Sequence, residues 1–346
     1  MSQSAWGDPV TKYFFDLGPD RVLDAVEAAG YVTTGMCYAL NSYENRVYEV
    51  EIEEDEARGI VKKTPASLRR IVKFYRPGRW SREQILEEHE FIADLVAQEI
   101  PAVAPLPFDS AETLAQVPGT ELWYAIFPKV GGRVPEELGE ESLHQLGRLL
   151  ARLHNVGASK QAPHRVKLTP ETYGLANLEY LLSEKKIPAE IEDFYAQTVR
   201  EICKLSEPMF AEASYHRVHG DCHAGNLLWD GQFLKLVDFD DMVRAPAVQD
   251  LWLLLPGEGE ERRLALESVL SGYEQMRPFD RATIRLIEPL RALRFIHFTA
   301  WIARRWEDPA FPPAFPHFGT GQYWNQMLRD LQEQLSLIRE AAYGGY

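Results

Sequence analysis

The stretch His219-Gly220-Asp221-Cys222-His223-Ala224-Gly225-Asn226, with Asp238 twelve residues further on, decides the fold. An aspartate, an amide five residues later and a second aspartate supply three oxygen-bearing side chains with separate uses. One carboxylate can take the proton of an attacking hydroxyl. An amide oxygen and a second carboxylate can hold a hard divalent cation such as magnesium. That cation neutralises charge on phosphates, so the set points to phosphoryl transfer from a nucleotide. Asp221 is then the proton acceptor, and Asn226 and Asp238 are the metal ligands. Any one of these residues alone would more simply be a helix cap or a turn aspartate; the spacing of the whole set carries the assignment.

The flanking sequence fits. Tyr215 to His219 reads as a short strand entering a loop. Leu227-Leu228-Trp229 and Phe233 to Val237 flank Asp230-Gly231, a tight-hairpin signal that would fold Asp238 back beside the loop. A different chemistry is also written here. His219, Asp221 and His223 form H-x-D-x-H, and on a strand they would share one face and could clasp a transition metal. Only His89 and a few scattered histidines could complete such a site.

A phosphotransferase also needs a cation on the phosphates. Leu68 to Tyr75 reads as a strand whose alternation puts Arg70, Val72 and Phe74 on one face and Ile71, Lys73 and Tyr75 on the other. Pro77-Gly78 ends it, and Ser81 with Gln84 makes a capping box for a helix to Gln98. Glu88 falls on that helix's apolar stripe with Ile85, Ile92, Leu95 and Val96. A carboxylate there is costly unless paired, and Lys73 is the available partner; Glu87 is the alternative if the helix is rotated. Upstream, Asn41 to Asn45 forms a turn where Ser42 and nearby amides could donate to phosphate oxygens. No G-x-G-x-x-G or G-x-x-x-x-G-K-[ST] loop is present. Leu122 to Phe127 reads as a buried strand breaking into Pro128 to Gly132, a hinge whose backbone from Phe127 to Val130 could meet an adenine edge.

The chain has 346 residues, 45% of them hydrophobic, enough for two lobes with real cores. A net charge of −15 argues against general affinity for nucleic acid or an anionic membrane. It also means that ATP would need a local cationic pocket. Three scattered cysteines, Cys37, Cys203 and Cys222, suggest reduced thiols and a cytoplasmic setting. No signal peptide or membrane-length apolar run is read.

The expected fold is α+β and bilobal. A small antiparallel sheet lobe with one helix would span 1–128, and a larger, mainly helical lobe 129–346. Pro19 to Ala29 is a short helix, and Glu51 to Lys63 an exposed connection. Leu143, Leu146, Leu149, Leu150 and Leu153 give a strong helical stripe. A helix around Ala189 to Leu205 and a long one from Ile284 to Trp306 follow, the latter with a polar face suited to a substrate groove. Asp250 is either a helix-start acid or a bond back to the catalytic loop.

Together these motifs resemble the aminoglycoside phosphotransferase and choline kinase branch of the kinase fold, whose catalytic loop reads H-G-D-x-H-x-x-N. Leu40 to Tyr48, Val72 to Pro77, Ile85 to His89, His219 to Leu228, Pro246 to Trp252 and Ile287 to Ala292 are similar to the bacterial stress response kinase A family. That resemblance implies a cytoplasmic, monomeric serine/threonine protein kinase that uses ATP and magnesium in stress responses. It implies Asp221 as proton acceptor, Asn226 and Asp238 as magnesium ligands, and Ser42 at the ATP site. Asp238-Phe239-Asp240-Asp241 departs from the D-F-G of protein kinases, and no A-P-E segment is present. A small-molecule kinase of the same fold, acting on an alcohol or amino alcohol, is the alternative.

Overall fold

The computed structural model describes residue 14 and residues 17–135 and 138–343. The chain groups into two compact units, Met1–Glu136 with Gly225–Asp240, and Glu137–Ala224 with Asp241–Tyr346.

In the first unit, α1 (Pro19–Ala28) begins on Pro19, whose fixed φ suits a helix start, and buries Val22, Ala25 and Val26. Then come β1 (Thr33–Leu40), β2 (Arg46–Ile52), β3 (Arg69–Phe74), α2 (Arg82–Ala97), β4 (Ala115–Gln116) and β5 (Trp123–Pro128). The strands form one antiparallel sheet in the order β1-β2-β3-β5-β4. Alternation sorts the two faces as expected. Tyr48, Val50, Val72, Phe74, Tyr124 and Ile126 pack with α1 in one core. Tyr75 and Ala125 pack with Ile85 of α2 on the other face. The capping box is present: Gln84 N–H donates to Ser81 Oγ at 3.3 Å, and Ser81 N–H donates to Gln84 Oε1 at 2.9 Å. Glu51 and Ile52 still belong to β2, with Ile52 buried, so the exposed connection starts later than the charge pattern suggested.

The second unit opens with α3 (Glu140–Ser159), whose Leu143, Leu146, Leu149, Leu150 and Leu153 are all buried. It continues through α4 (Ala176–Ser183) and α5 (Glu192–Ala211). α5 starts and ends later than the sequence pattern placed it and carries Pro208 near its end. β6 (His216–Val218) leads into the loop 219–226. The ribbon of β7 (Leu227–Trp229) and β8 (Leu234–Leu236) groups with the first unit. It is held there by Leu236 N–H donating to Pro101 O at 2.9 Å and by reciprocal bonds between Trp229 and Arg133. β9 (Val243–Ala245) pairs with β6, and α6 (Gln249–Trp252), α7 (Gly259–Tyr273), α8 (Ile287–Arg304), α9 (Phe311–Ala314) and α10 (Gly321–Tyr343) complete the helical unit.

The β7–β8 turn differs by one position from the tight pair expected at Asp230-Gly231. Trp229 pairs with Leu234, and Asp230 N–H donates to Phe233 O, so Gly231 and Gln232 are the central residues. Asp230 instead braces the turn: its Oδ1 accepts from Gln232 N–H and Phe233 N–H at 3.0 and 2.8 Å. Gly231 takes the φ of +101° that the corner requires.

Candidate active site

Two charged centres come from the residues singled out in the sequence, one in each unit. The first is built around Lys73. β3 turns this side chain toward the α2 face of the sheet, where it is buried. Its Nζ lies 3.5 Å from Glu88 Oε1, 3.3 Å from Asp238 Oδ1 and 3.1 Å from Asp240 Oδ1. The Tyr75 ring centroid is 4.8 Å away. Burial alone would lower the lysine pKa, but Asp240 and Glu88 outweigh it and push it well above the ordinary value. The group is an ammonium at any physiological pH. Glu88 is 1% exposed, which settles the choice between it and Glu87.

Asp238 and Asp240, two residues apart, have opposite surroundings. Asp238 has φ +59°, a left-handed conformation that costs a non-glycine residue roughly 1–3 kcal/mol. The bend leaves its side chain 58% exposed while one oxygen still reaches Lys73. It also turns Phe239 inward against Phe91, with ring centroids 5.9 Å apart. Asp240 is buried and paired to Arg79 as well as Lys73. Arg79 also lies 3.7 Å from Glu44 Oε1, and Arg76 Nε lies 3.2 Å from the same oxygen.

Arg76 fastens the turn after β1. It donates from its backbone N–H to Asn45 Oδ1 at 3.1 Å, from Nε to Glu44 O at 2.9 Å, and from Nη2 to Tyr43 O at 3.0 Å. An arginine thus shapes a loop that has no glycines. Arg76, Arg79 and Asp240 were not selected from the sequence. Their signal was the aspartate standing where D-F-G has glycine, together with the arginines just past β3.

Asn226 joins this unit through its backbone: Val237 N–H donates to Asn226 O at 3.1 Å, so the Asn226 backbone lies against the residue before Asp238. Ser42 is half-buried in the turn 41–45, and Val130 is half-buried beyond the end of β5. Among the described residues, no hydrogen bond or ion pair joins either to the Lys73 centre. Phe127 is committed differently. Tyr75 N–H donates to Trp123 O and Lys129 N–H to Arg69 O, so ladder alternation turns the Phe127 backbone groups toward Ile71. Its ring packs on His89 at 6.3 Å between centroids.

The second centre holds Asp221. Its Oδ1 accepts from Arg294 Nη1 at 2.7 Å, and its Oδ2 lies 3.4 Å from His223 Nε2. Burial would raise the Asp221 pKa, but the His223 hydrogen bond and the Arg294 guanidinium hold it below the usual carboxylate range. Arg294 comes from α8, inside the helix whose polar face was expected to line a groove.

The backbone of the loop is held by Asp250. It accepts from His219 N–H at 2.7 Å and Gly220 N–H at 2.9 Å, and it meets His154 Nε2 at 3.1 Å. It also lies in the first turn of α6, so both roles considered for it hold. Gly220 has φ +88°, and a Cβ there would fall 2.0 Å from Asp241 O, so no side chain fits. Cys222 is fully buried, and burial raises its thiol pKa well above the ordinary value.

The H-x-D-x-H metal reading fails locally. The strand ends at Val218, so His219, Asp221 and His223 do not share a strand face. His219 is buried, and no cluster of three or more His, Cys, Asp or Glu suited to a metal occurs among the described residues. Magnesium has other needs. It retains waters and takes one or two carboxylates plus phosphate oxygens. The exposed Asp238 carboxylate is a hard-oxygen group of the kind this demands, and the Asn226 backbone is bonded to the residue before it.

Comparison with known proteins identifies the family. Residues 39–287 match the model of the phosphotransferase enzyme family. Stress response kinase A of Escherichia coli (strain K12) is 39% identical over 336 residues, covering 94% of this chain and 95% of that protein. Serine/threonine protein kinase RdoA of Salmonella typhimurium (strain LT2) shows the same identity and coverage. Among solved structures, an amicoumacin kinase bound to AMP-PNP and calcium superposes with a TM-score of 0.70 at 21% identity, covering 94% of this chain and 95% of its own. A microcompartment-associated aminopropanol kinase gives 0.63 at 18%, covering 92% and 97%. These structures establish the fold, a mixed kinase-like architecture with a small antiparallel sheet and a larger helical part. By the family match and by identity along nearly its whole length, the chain belongs to the phosphotransferase enzyme family, within the stress response kinase A group.

Proposed function

We propose that this enzyme transfers the γ-phosphoryl group of ATP to serine or threonine hydroxyls of a protein, with magnesium as cofactor. The observation that supports it most directly is the buried Lys73 ammonium beside the exposed Asp238 carboxylate. Lys73 would meet nucleotide phosphates, with Glu88 fixing its position. Asn226 and Asp238 would hold the magnesium ion, which offsets phosphate charge when bound. Ser42 and the amides of its turn would add donors. Backbone groups past the β5 ladder, near Val130, would meet the adenine, a role for which Phe127 has less to offer.

Asp221 would accept the hydroxyl proton. Its depressed pKa makes it a weak base, which suits a loose transition state in which positioning and charge matter more than early proton removal. Arg294 and His223 would hold it in place. We assign nucleotide handling to the N-terminal part, about residues 1–128, together with the segment that carries Asn226 and Asp238, and acceptor handling to the remainder.

The names of the curated relatives support a protein acceptor and a stress-response role. A monomer in the cytoplasm is part of the same proposal. No helix among the described residues is long and apolar enough to cross a membrane. A small-molecule hydroxyl is the competing acceptor, because the similar folds include an aminopropanol kinase. Purified protein given γ-labelled ATP, a generic basic protein and a panel of amino alcohols decides between them. Label on protein serine or threonine is expected; label on the metabolites alone would transfer the enzyme to the rival class. Asp238→Ala is expected to weaken magnesium-dependent nucleotide binding by roughly tenfold or more, on the loss of one charge-assisted ligand. An unchanged nucleotide titration would remove Asp238 from the metal site.

A further inference from the structure

Resting on the reading that the turn 41–45 meets nucleotide phosphates, we propose that Glu44 is a positioning residue for nucleotide binding, one that locks this turn to the Lys73 centre through Arg79. A carboxylate is a strange residue for such a turn, because on charge alone it repels phosphate. Its surroundings take up that charge. The Glu44 side chain is only 12% exposed, and its Oε1 lies 3.2 Å from Arg76 Nε and 3.7 Å from Arg79 Nε. Arg79 is paired in turn with the buried Asp240, whose Oδ1 lies 3.1 Å from Lys73 Nζ. Lys73 then meets Glu88 of α2. Acid and base thus alternate from α2 to the turn, in the order Glu88, Lys73, Asp240, Arg79, Glu44, Arg76. Charges sheltered in this way are little screened by salt.

The two arginines are also fixed from another side. Arg76 Cζ lies 4.7 Å from the Phe14 ring centroid, and Arg79 Cζ lies 4.9 Å from that of Trp80. Between two restrained guanidiniums, the carboxylate sets where the turn sits.

Arg76 and Glu44 divide the work. The Arg76 bonds to Tyr43 O, Glu44 O and Asn45 Oδ1 tie the turn to the end of β3, and they do not use the Glu44 carboxylate. The carboxylate supplies a different link, the one that reaches Arg79 and, through it, Asp240 and Lys73. Glu44→Gln therefore weakens that link and leaves the turn attached to β3. The turn then holds its phosphate-ready position for a smaller fraction of the time, and nucleotide affinity falls by that fraction. A glutamate that was only a nearby charge predicts the reverse. Its removal would relieve repulsion and release guanidinium for phosphate, so nucleotide would bind more tightly.

The test compares native and Glu44→Gln proteins, both as the full chain. Each is titrated with AMP-PNP and magnesium and assayed with ATP and a generic basic protein. Kd and the KM for ATP are expected to rise roughly tenfold, as for the loss of one charge-assisted bond, with a much smaller change in kcat. Amide exchange at residues 42–45 should quicken while β3 stays protected. Equal or tighter nucleotide binding in the variant overturns the role of Glu44 and leaves the nucleotide site standing. Native protein that binds no nucleotide overturns the reading of the turn, and the role of Glu44 with it. Should Glu44→Gln fail to fold, Glu44→Asp keeps the charge but draws it back from both arginines. A smaller rise in Kd is then expected, and native affinity overturns the role.

Discussion

The Lys73 centre and the Asp221–Asp250 centre solve opposite electrostatic problems. In the sheet unit, one buried cation is ringed by Glu88, Asp238 and Asp240, so negative charge exceeds positive around the lysine itself. In the helical unit, one buried carboxylate, Asp250, is ringed by two backbone amides and a histidine, and the more open Asp221 by an arginine and a histidine. The first arrangement leaves carboxylate capacity for an incoming cation. The second leaves none on Asp250 and spends it on holding a loop in shape. On the proposed reading, the surplus charge is the cation site, while Asp250 is scaffold for the loop that presents Asp221.

The largest effect should come from Asp221→Asn, which leaves the amide-held loop intact and removes the proposed proton acceptor. Phosphoryl transfer is expected to fall on the order of 100- to 10,000-fold with nucleotide binding retained. A native turnover number would erase the distinction between the two centres. Next is Arg79→Met, which strips Asp240 of its guanidinium. A loss of about 3–5 kcal/mol is expected in urea unfolding, mostly recovered by adding Asp240→Leu. If the double variant is no more stable than the single, the Asp240 charge is not what Arg79 serves.

His216 gives a smaller, pH-dependent term. Its pKa is depressed to about 3 in the fold, against 6.5 in the unfolded chain. Between those values the unfolded chain binds a proton that the folded one does not, so stability falls as pH drops from 6.5 toward 3. The term is at most about 5 kcal/mol, reached only near pH 3, and about 2 kcal/mol at pH 5. His216→Gln should flatten the decline of melting temperature with acid; parallel curves would count against a neutral buried imidazole. The smallest change is Arg294→Gln. Without that guanidinium, burial acts on Asp221 with less opposition and its pKa rises. The partial exposure of the pair limits the shift, so the acid limb of the pH–rate profile should move up by less than about one unit. A limb that stays in place would show that His223 alone sets the titration.

Much of this was legible in sequence because it rests on local periodicity. Glu88 was identifiable from its position on the α2 stripe, and Lys73 from the alternation of β3. The hairpin was legible as a hairpin, but not its register: Asp230 has the side chain to brace a turn from its first corner, and the pattern could not tell corner from centre. Arg76, Arg79 and Arg294 were missed for a different reason. Each acts across a long separation in the chain, on Glu44, Asp240 and Asp221, and no spacing rule reports such meetings. The Phe127 backbone was assigned by position along the strand, whereas hydrogen-bond alternation within the ladder decides which way it faces.

Asp240 has one more implication. With glycine at that place, the segment after Asp238 could invert and swing its phenylalanine outward at little expense. Here the inversion would part the buried Asp240 from Arg79 and uncouple Lys73 from one of its counter-ions. The buried pair thus fixes the aspartate proposed to carry the metal in its outward position, without that toggle.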